Sequence, residues 1–216
     1  MNVILENLDL FAGGYWRSVQ ICLFGLIGSL LLGAVVAASR VSPWPSLRLG
    51  GTSWVTVLRN CPLTVVLFFC AFGLPELGIR GSYWTFGILG LVLYTSAFVG
   101  EAIRAGVNAV PTGQIEAARS IGLTFTQSLR LVIGPQAVRS VVPPLGSVVI
   151  GMLKNSAIVG AFGVGGDLFS VSDRLTSAQG YPALPVLLGV LAGYLAITLP
   201  AGAVIAVLER RVAILR

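Results

Sequence analysis

The chain has 216 residues, 56% of them hydrophobic and only 10% charged, against roughly 25% charged in an ordinary soluble domain. With a mean hydropathy of +0.91, it has too little polar surface for a water-soluble globule, and most of it must face lipid or other membrane helices. There is no His and the single lysine, Lys154, is not preceded by Gly, which excludes His-based metal sites, Ser-His triads and a Walker A phosphate loop; Cys22, Cys61 and Cys70 form no C-x-x-C pair and suggest neither zinc nor a disulfide framework.

A bilayer crossing needs about 20 predominantly apolar residues, and five segments meet that requirement. The first, Ser18–Ser39, carries no charge and is flanked by the interfacial trio Tyr15-Trp16-Arg17. Its leader holds Glu6 and Asp9 but no Lys or Arg, so the basic region of a secretory signal is missing and the span is read as retained. Gly25, Ser29, Gly33 and Ala37 recur every fourth residue along it, a small-residue seam suited to close helix packing in lipid. The second span is Trp54–Leu74, with Arg59 and Asn60 near its start, and the third is Tyr83–Gly100. Glu101–Gln136 is too polar to cross. The fourth span, Ser140–Phe162, is interrupted by Pro143-Pro144 and Lys154. Gly160–Tyr181, rich in Gly and Ser, reads as an outside connection with a short surface helix, and Leu184–Leu208 is the fifth span. The expectation is an all-α integral membrane protein, one transmembrane domain over residues 1–216.

Five crossings place the termini on opposite sides. With the N-terminus outside, the inside segments hold Arg40, Arg48, Arg59, Arg104, Arg119, Arg130, Arg139, Arg210, Arg211 and Arg216, and the outside segments only Arg17, Arg80, Lys154 and Arg174. A Lys/Arg excess on the cytoplasmic side sets membrane orientation. The net charge of +6 thus needs no nucleic acid to explain it.

The polar stretch between the third and fourth spans is patterned. Thr112 is placed to cap a helix whose first turns contain Gln114, Ile115 and Glu116, a favourable position for a carboxylate. Gly122 suits the left-handed residue that ends this helix, with Leu123 folding back on Ala118. Thr124-Phe125-Thr126-Gln127 reads as a capping box that starts a second helix, and Pro135 marks a change of direction before the next span. Glu101 and Arg104 read as an ion pair at the inner end of the third span.

Glu116-Ala117-Ala118, three residues, Gly122, nine residues and then Val132-Ile133-Gly134-Pro135 resemble the EAA loop of ABC importer permeases, with Val132 and Gly134 in place of the usual Ile and Leu. Gly113–Ala118 is similar to the form found in polar amino acid permeases. Arg59-Asn60-Cys61-Pro62, Gly100–Gly106 and Lys154-Asn155-Ser156-Ala157-Ile158 resemble further segments of that subfamily, with Cys61 where Thr is usual. Arg40-Val41-Ser42-Pro43 and Phe68–Pro75 are most similar to glutamate-type permeases. The resemblance covers nearly the whole chain.

It implies the type I ABC importer permease fold and transport of a polar amino acid, glutamate first and glutamine or a basic amino acid next. The implied partners are two cytoplasmic ATP-binding subunits, a second permease subunit (copy or paralogue) and an extracytoplasmic binding protein, in a bacterial cell membrane. ATP hydrolysis would belong to the partner; no catalytic residue, cofactor or metal is expected here. The loop over about 104–136 would be the coupling helix, with Ala117, Ala118 and Gly122 allowing close approach and Pro135 closing the motif. Glu116 would either cap its own helix or meet a polar group on the ATPase. Along the substrate path, Arg59 and Lys154 are the candidates to meet a carboxylate, with Asn155 and Ser156 adding hydrogen bonds. The competing readings are snorkelling to the inner interface for Arg59, which is preferred, and an outer interface position for Lys154. The rival class is a secondary transporter or channel, for which spans without His or a buried acid are poor proton-coupling material. A membrane enzyme lacks its motifs, and a purely structural subunit leaves the spaced loop unexplained.

Overall fold

A computed structural model describes residues 2–212; Arg216, counted above among the inside arginines, lies beyond them. The described residues form helices joined by short connections, without a strand. We number the principal helices α1 (Leu8–Arg40), α2 (Pro45–Asn60), α3 (Leu63–Glu76), α4 (Tyr83–Asn108), α5 (Thr112–Ser120), α6 (Phe125–Gly163), α7 (Leu168–Asp173) and α8 (Ala183–Val212). Four of them, α1, α4, α6 and α8, are each long and apolar enough to cross a bilayer, and the bent pair α2–α3 makes a fifth when its two helices are counted as one broken span.

The small residues of α1 do face a neighbour. A Cβ on Gly25 would meet Leu91 at 2.9 Å, and one on Gly28 would meet Val92 at 2.6 Å. Gly33 lies equally close to Val99, and Ser29 is fully buried. Arg17 at one end stacks 4.2 Å over Trp84, and Arg40 at the other is bonded to Glu101. These pairs rise together in both helices, so α1 and α4 run parallel and in register. α6 runs the opposite way: Val141 sits against Gly106, while Met152 sits against Gly25 and packs in one cluster with Leu91. α8 reverses again, with Ile205 against Gly146 and Phe11 against Gly189.

The second expected span, Trp54–Leu74, is corrected. Helix α2 ends at Asn60 and α3 begins at Leu63, with a bend of 108° between them. Pro62 is the cause: it has no N–H and forces the preceding residue out of helical geometry, and Cys61 is extended at φ −97°, ψ 135°. Trp54 and Arg59 therefore belong to an elbow helix, set at an angle to α3, and not to one straight span. Val55 and Gly51 of the elbow are buried, and its Trp54 Nε1 donates to Ser96 Oγ of α4 at 3.1 Å.

The third span runs further than expected, capped by Ser82, which accepts from Thr85 N at 3.1 Å, and continuing to Asn108. The expected change of direction at Pro135 is also corrected. The chain passes from Phe125 through one π-type turn, Leu129–Ile133, into the helix Gly134–Val159, which also carries Pro143 and Pro144 inside it.

The short helix expected on the surface of Gly160–Tyr181 lies inside the bundle. α7 buries Leu168 and Val171, with Leu175 just beyond it, against Phe11, Val186 and Val190 of α1 and α8. Leu168 N donates to Ser18 Oγ at 3.1 Å. Asp167 at its start is completely buried, an acid that the reading of this segment as an outside connection did not anticipate inside the bundle. The spacing of Leu168, Val171 and Leu175 is that of one helix face, and the surrounding Gly and Ser masked it.

Candidate functional site

Two regions gather the functional candidates: a loop at the end of the bundle marked by Arg40 and Glu101, and a pair of cavities between α4, α6 and α2.

In the loop, α5 starts at Thr112 with Pro111 as the extended residue before it, and Thr112 makes no side-chain cap, contrary to the expected cap. Glu116 is then the fifth residue of the helix, beyond its first turn, so capping its own N-terminus is excluded. Its carboxylate is exposed, and its backbone carbonyl accepts from Ser120 Oγ at 2.9 Å. The glycine ending forms as expected: Gly122 has φ +83°, its N–H donates to Arg119 O at 2.9 Å, and Leu123 N donates to Ala118 O at 3.1 Å. Thr124 and Gln127 complete the capping box, with Thr124 N donating to Gln127 Oε1 at 2.9 Å and Gln127 N to Thr124 Oγ1 at 3.3 Å. The small face divides. Ala117 and Gly122 are exposed, whereas Ala118 is 3% exposed and belongs to the chain's own packing. Pro135 is exposed on α6. Sequence reasoning passed over two exposed apolar residues of this loop, Ile121 and Phe125, at 77% and 69% exposure.

Lys154, Asn155 and Ser156 are consecutive on a helix and so point about 100° apart. The structure separates them accordingly. Lys154 is exposed. Asn155 lines a cavity of about 250 Å³ together with Tyr94, Thr95, Phe98 and Ser147. Ser156 turns into the bundle, where its hydroxyl donates to Leu153 O at 2.7 Å and accepts from Cys22 Sγ at 3.2 Å. The lining residues of α4 were not singled out from sequence, although Tyr94-Thr95-Ser96 interrupts an apolar span. Thr95 Oγ1 is buried without a hydrogen-bond partner, a costly state for a hydroxyl.

Phe98 also lines a second cavity, of about 450 Å³, with Arg40, Thr56, Arg59, Asn60 and Glu101. Here Glu101 collects three arginines. Arg40 bonds one carboxylate oxygen, Arg104 approaches the other at 2.6 Å, and Arg59 stands at 3.9 Å. The expected Glu101–Arg104 pair is present, but Arg40 and Arg59 join it from other helices. Arg59 also lies 5.6 Å over the Phe98 ring. No group of residues able to hold a metal ion occurs among the described residues.

Residues 29–214 match the family of inner membrane components of binding-protein-dependent transport systems. The chain belongs to this family. It is 37% identical over 211 residues to the probable glutamine ABC transporter permease protein GlnM of Bacillus subtilis, covering 98% of this chain and 97% of that one. It is 38% identical over 213 residues to the glutamate transport system permease protein GluC of Corynebacterium efficiens, covering 93% of this chain and 92% of that one. A crystal structure of an amino acid ABC transporter with histidines superposes with a TM-score of 0.89 at 33% identity, covering 97% of each chain. The inward-facing MetNI methionine ABC transporter superposes at 0.72 with 23% identity, covering 96% of this chain and 98% of that one, which shows a shared fold. The permease fold expected from the loop motif is thus the fold observed, and the chain is a multi-pass membrane subunit.

Proposed function

We propose that this chain, residues 1–216 acting as one transmembrane domain, is the permease subunit of an ATP-driven importer of a polar amino acid, with glutamate as its substrate. The observation that carries the reading is near full-length similarity to permeases named for glutamate and for glutamine. The arginine-lined cavity favours the anionic one, and the similarity to GlnM makes glutamine the second reading. Two ATP-binding subunits dock inside, a second permease subunit completes the pathway and an extracytoplasmic binding protein delivers the amino acid. The N-terminus lies outside and the C-terminus in the cytoplasm.

In this reading α5 and its glycine turn are the coupling element. Glu116, Ala117 and Gly122 meet the ATP-binding subunit, Ile121 and Phe125 add apolar anchors, and Ala118 and Pro135 shape the support behind them. ATP binding draws the two coupling elements of a permease pair together and tilts the helices attached to them. ATP shifts the balance of inward and outward states only through its differential affinity for them. The amino acid passes the cavity of Asn155, Tyr94 and Thr95. Lys154 attracts its carboxylate at the outer end, Arg59 meets it at the inner end, and Ser156 holds α6 against α1 beside the path.

The test is gentle detergent purification of the tagged chain from its native membrane, followed by reconstitution. Co-purification of an ATP-binding subunit and ATP-dependent uptake of labelled glutamate are expected. Uptake of glutamine but not glutamate would change the substrate. A chain that purifies alone and shows no ATP-dependent uptake would refute the importer reading.

A further inference from the structure

Three guanidinium groups around one carboxylate leave the cluster with two positive charges in excess. The partners are not equally committed. Arg40 is 12% exposed and Arg104 bonds at 2.6 Å, whereas Arg59 is 44% exposed and stands 3.9 Å from Glu101. Arg40 Nε is buried and has no hydrogen-bond partner. The cavity that Arg40, Arg59 and Glu101 line, about 450 Å³, falls in the range of small-ligand sites, roughly 300–1,000 Å³. Excess positive charge favours an anion, and guanidinium forks match the paired oxygens of carboxylates and phosphates.

We propose that the cavity between Arg40, Arg59 and Glu101 is an oxyanion-binding site at the coupling-loop end of the bundle, occupied by a carboxylate or a phosphate. Arg40 and Glu101 form its fixed wall. Arg59, in the last turn of the elbow helix and supported on the face of Phe98, is the arm that closes on the anion. Its place at the inner mouth gives two sources for that anion: the carboxylate of an amino acid leaving the path, or the headgroup phosphate of an inner-leaflet lipid. Only the first source rests on the proposed substrate.

The experiment uses the chain purified in mild detergent with the subunits it retains. One arm measures retention of phosphatidylglycerol against phosphatidylcholine by native mass spectrometry. The other measures binding of labelled L-glutamate. Each is repeated with Arg59→Gln and with Arg210→Gln, an exposed arginine outside the cavity. The wild type is expected to hold one of the two anions, Arg59→Gln to weaken it about tenfold or more, and Arg210→Gln to leave it unchanged. The arm that responds names the source. If neither anion depends on Arg59, the site does not exist. Should Arg59→Gln fail to assemble, sulfate against chloride at equal ionic strength decides on the wild type: displacement by sulfate supports the site and indifference overturns it. Glutamate uptake without an Arg59-dependent anion removes this site and leaves the importer standing. Arg59-dependent phosphatidylglycerol without glutamate transport does the reverse.

Discussion

Asp167 is fully buried, yet its carboxylate has little unsatisfied capacity. One oxygen accepts from Phe169 N at 3.1 Å, and the other from Ser170 N at 3.3 Å and from the Ser170 hydroxyl. A carboxylate at a helix N-terminus with backbone donors offsets much of its desolvation cost, so this acid anchors α7 and is poor material for a proton carrier. Gly160 is part of the arrangement, because a Cβ there would collide with the carboxylate. Lys154 is the opposite case, a charge with open surroundings. Replacing Lys154 with Ala should lower uptake about two- to fivefold, the scale of one exposed charge contact, while assembly stays intact. Lys154→Arg should keep most of the rate. Uptake kinetics in proteoliposomes measure both, and an unchanged rate and KM in Lys154→Ala would remove this residue from the path.

At the scale of elements, two π-type turns have one physical cause. Phe69–Gly73 ends two residues before Pro75, and Leu129–Ile133 ends two residues before Pro135. In each, the carbonyl four residues before the proline falls inside the wider turn, where the ring would otherwise crowd it. The proline then passes without breaking the helix, which is why Pro135 does not redirect the chain. Between α5 and α6, Gly122 holds a left-handed conformation, with open space where a Cβ would point. Asp and Asn tolerate that conformation better than other side chains, so Gly122→Asp should leave the isolated permease folded. Uptake and transport-coupled ATPase activity should nevertheless fall tenfold or more, because a carboxylate would enter the close contact proposed with the ATP-binding subunit. Gly122→Asn, the same shape without charge, should be milder. Wild-type transport by Gly122→Asp would sink the coupling assignment.

For the whole molecule, the parallel pair α1 and α4, with α6 antiparallel to both and α8 reversed again, requires α2–α3 to return the chain across the membrane, an odd number of crossings in all. The end bearing Arg40, Glu101 and α5 then lies opposite the end bearing Arg17, Trp84 and Asp167. On the positive-inside bias, the first of these is the end we propose to be cytoplasmic. A tag at the N-terminus should be cleaved by protease added to intact spheroplasts, and a C-terminal tag should be cleaved only after lysis. The reverse pattern would invert the topology.

Much of this was legible locally. Membrane residence follows from composition, and four of the crossings from apolar length. The glycine ending at Gly122 and the capping box at Thr124 follow from short-range chemistry, as do the small-residue seam of α1 and the family-level loop motif. Each rests on residues within a few turns of one another. The elbow was partly written in Pro62, but apolar length outweighed it in the reading of the second span. What only the tertiary structure decided depends on which way a helix face turns and what meets it there. Lys154, Asn155 and Ser156 part company because successive helical residues fan out by about 100°. Ala118 is buried while Ala117 is open, and α7 sinks between α1 and α8. Arg40, Arg59 and Glu101, far apart in the chain, converge because α1 and α4 run in parallel register and the elbow folds back across them. Hydrophobic periodicity states that a face is buried, but the partner on that face is set by packing.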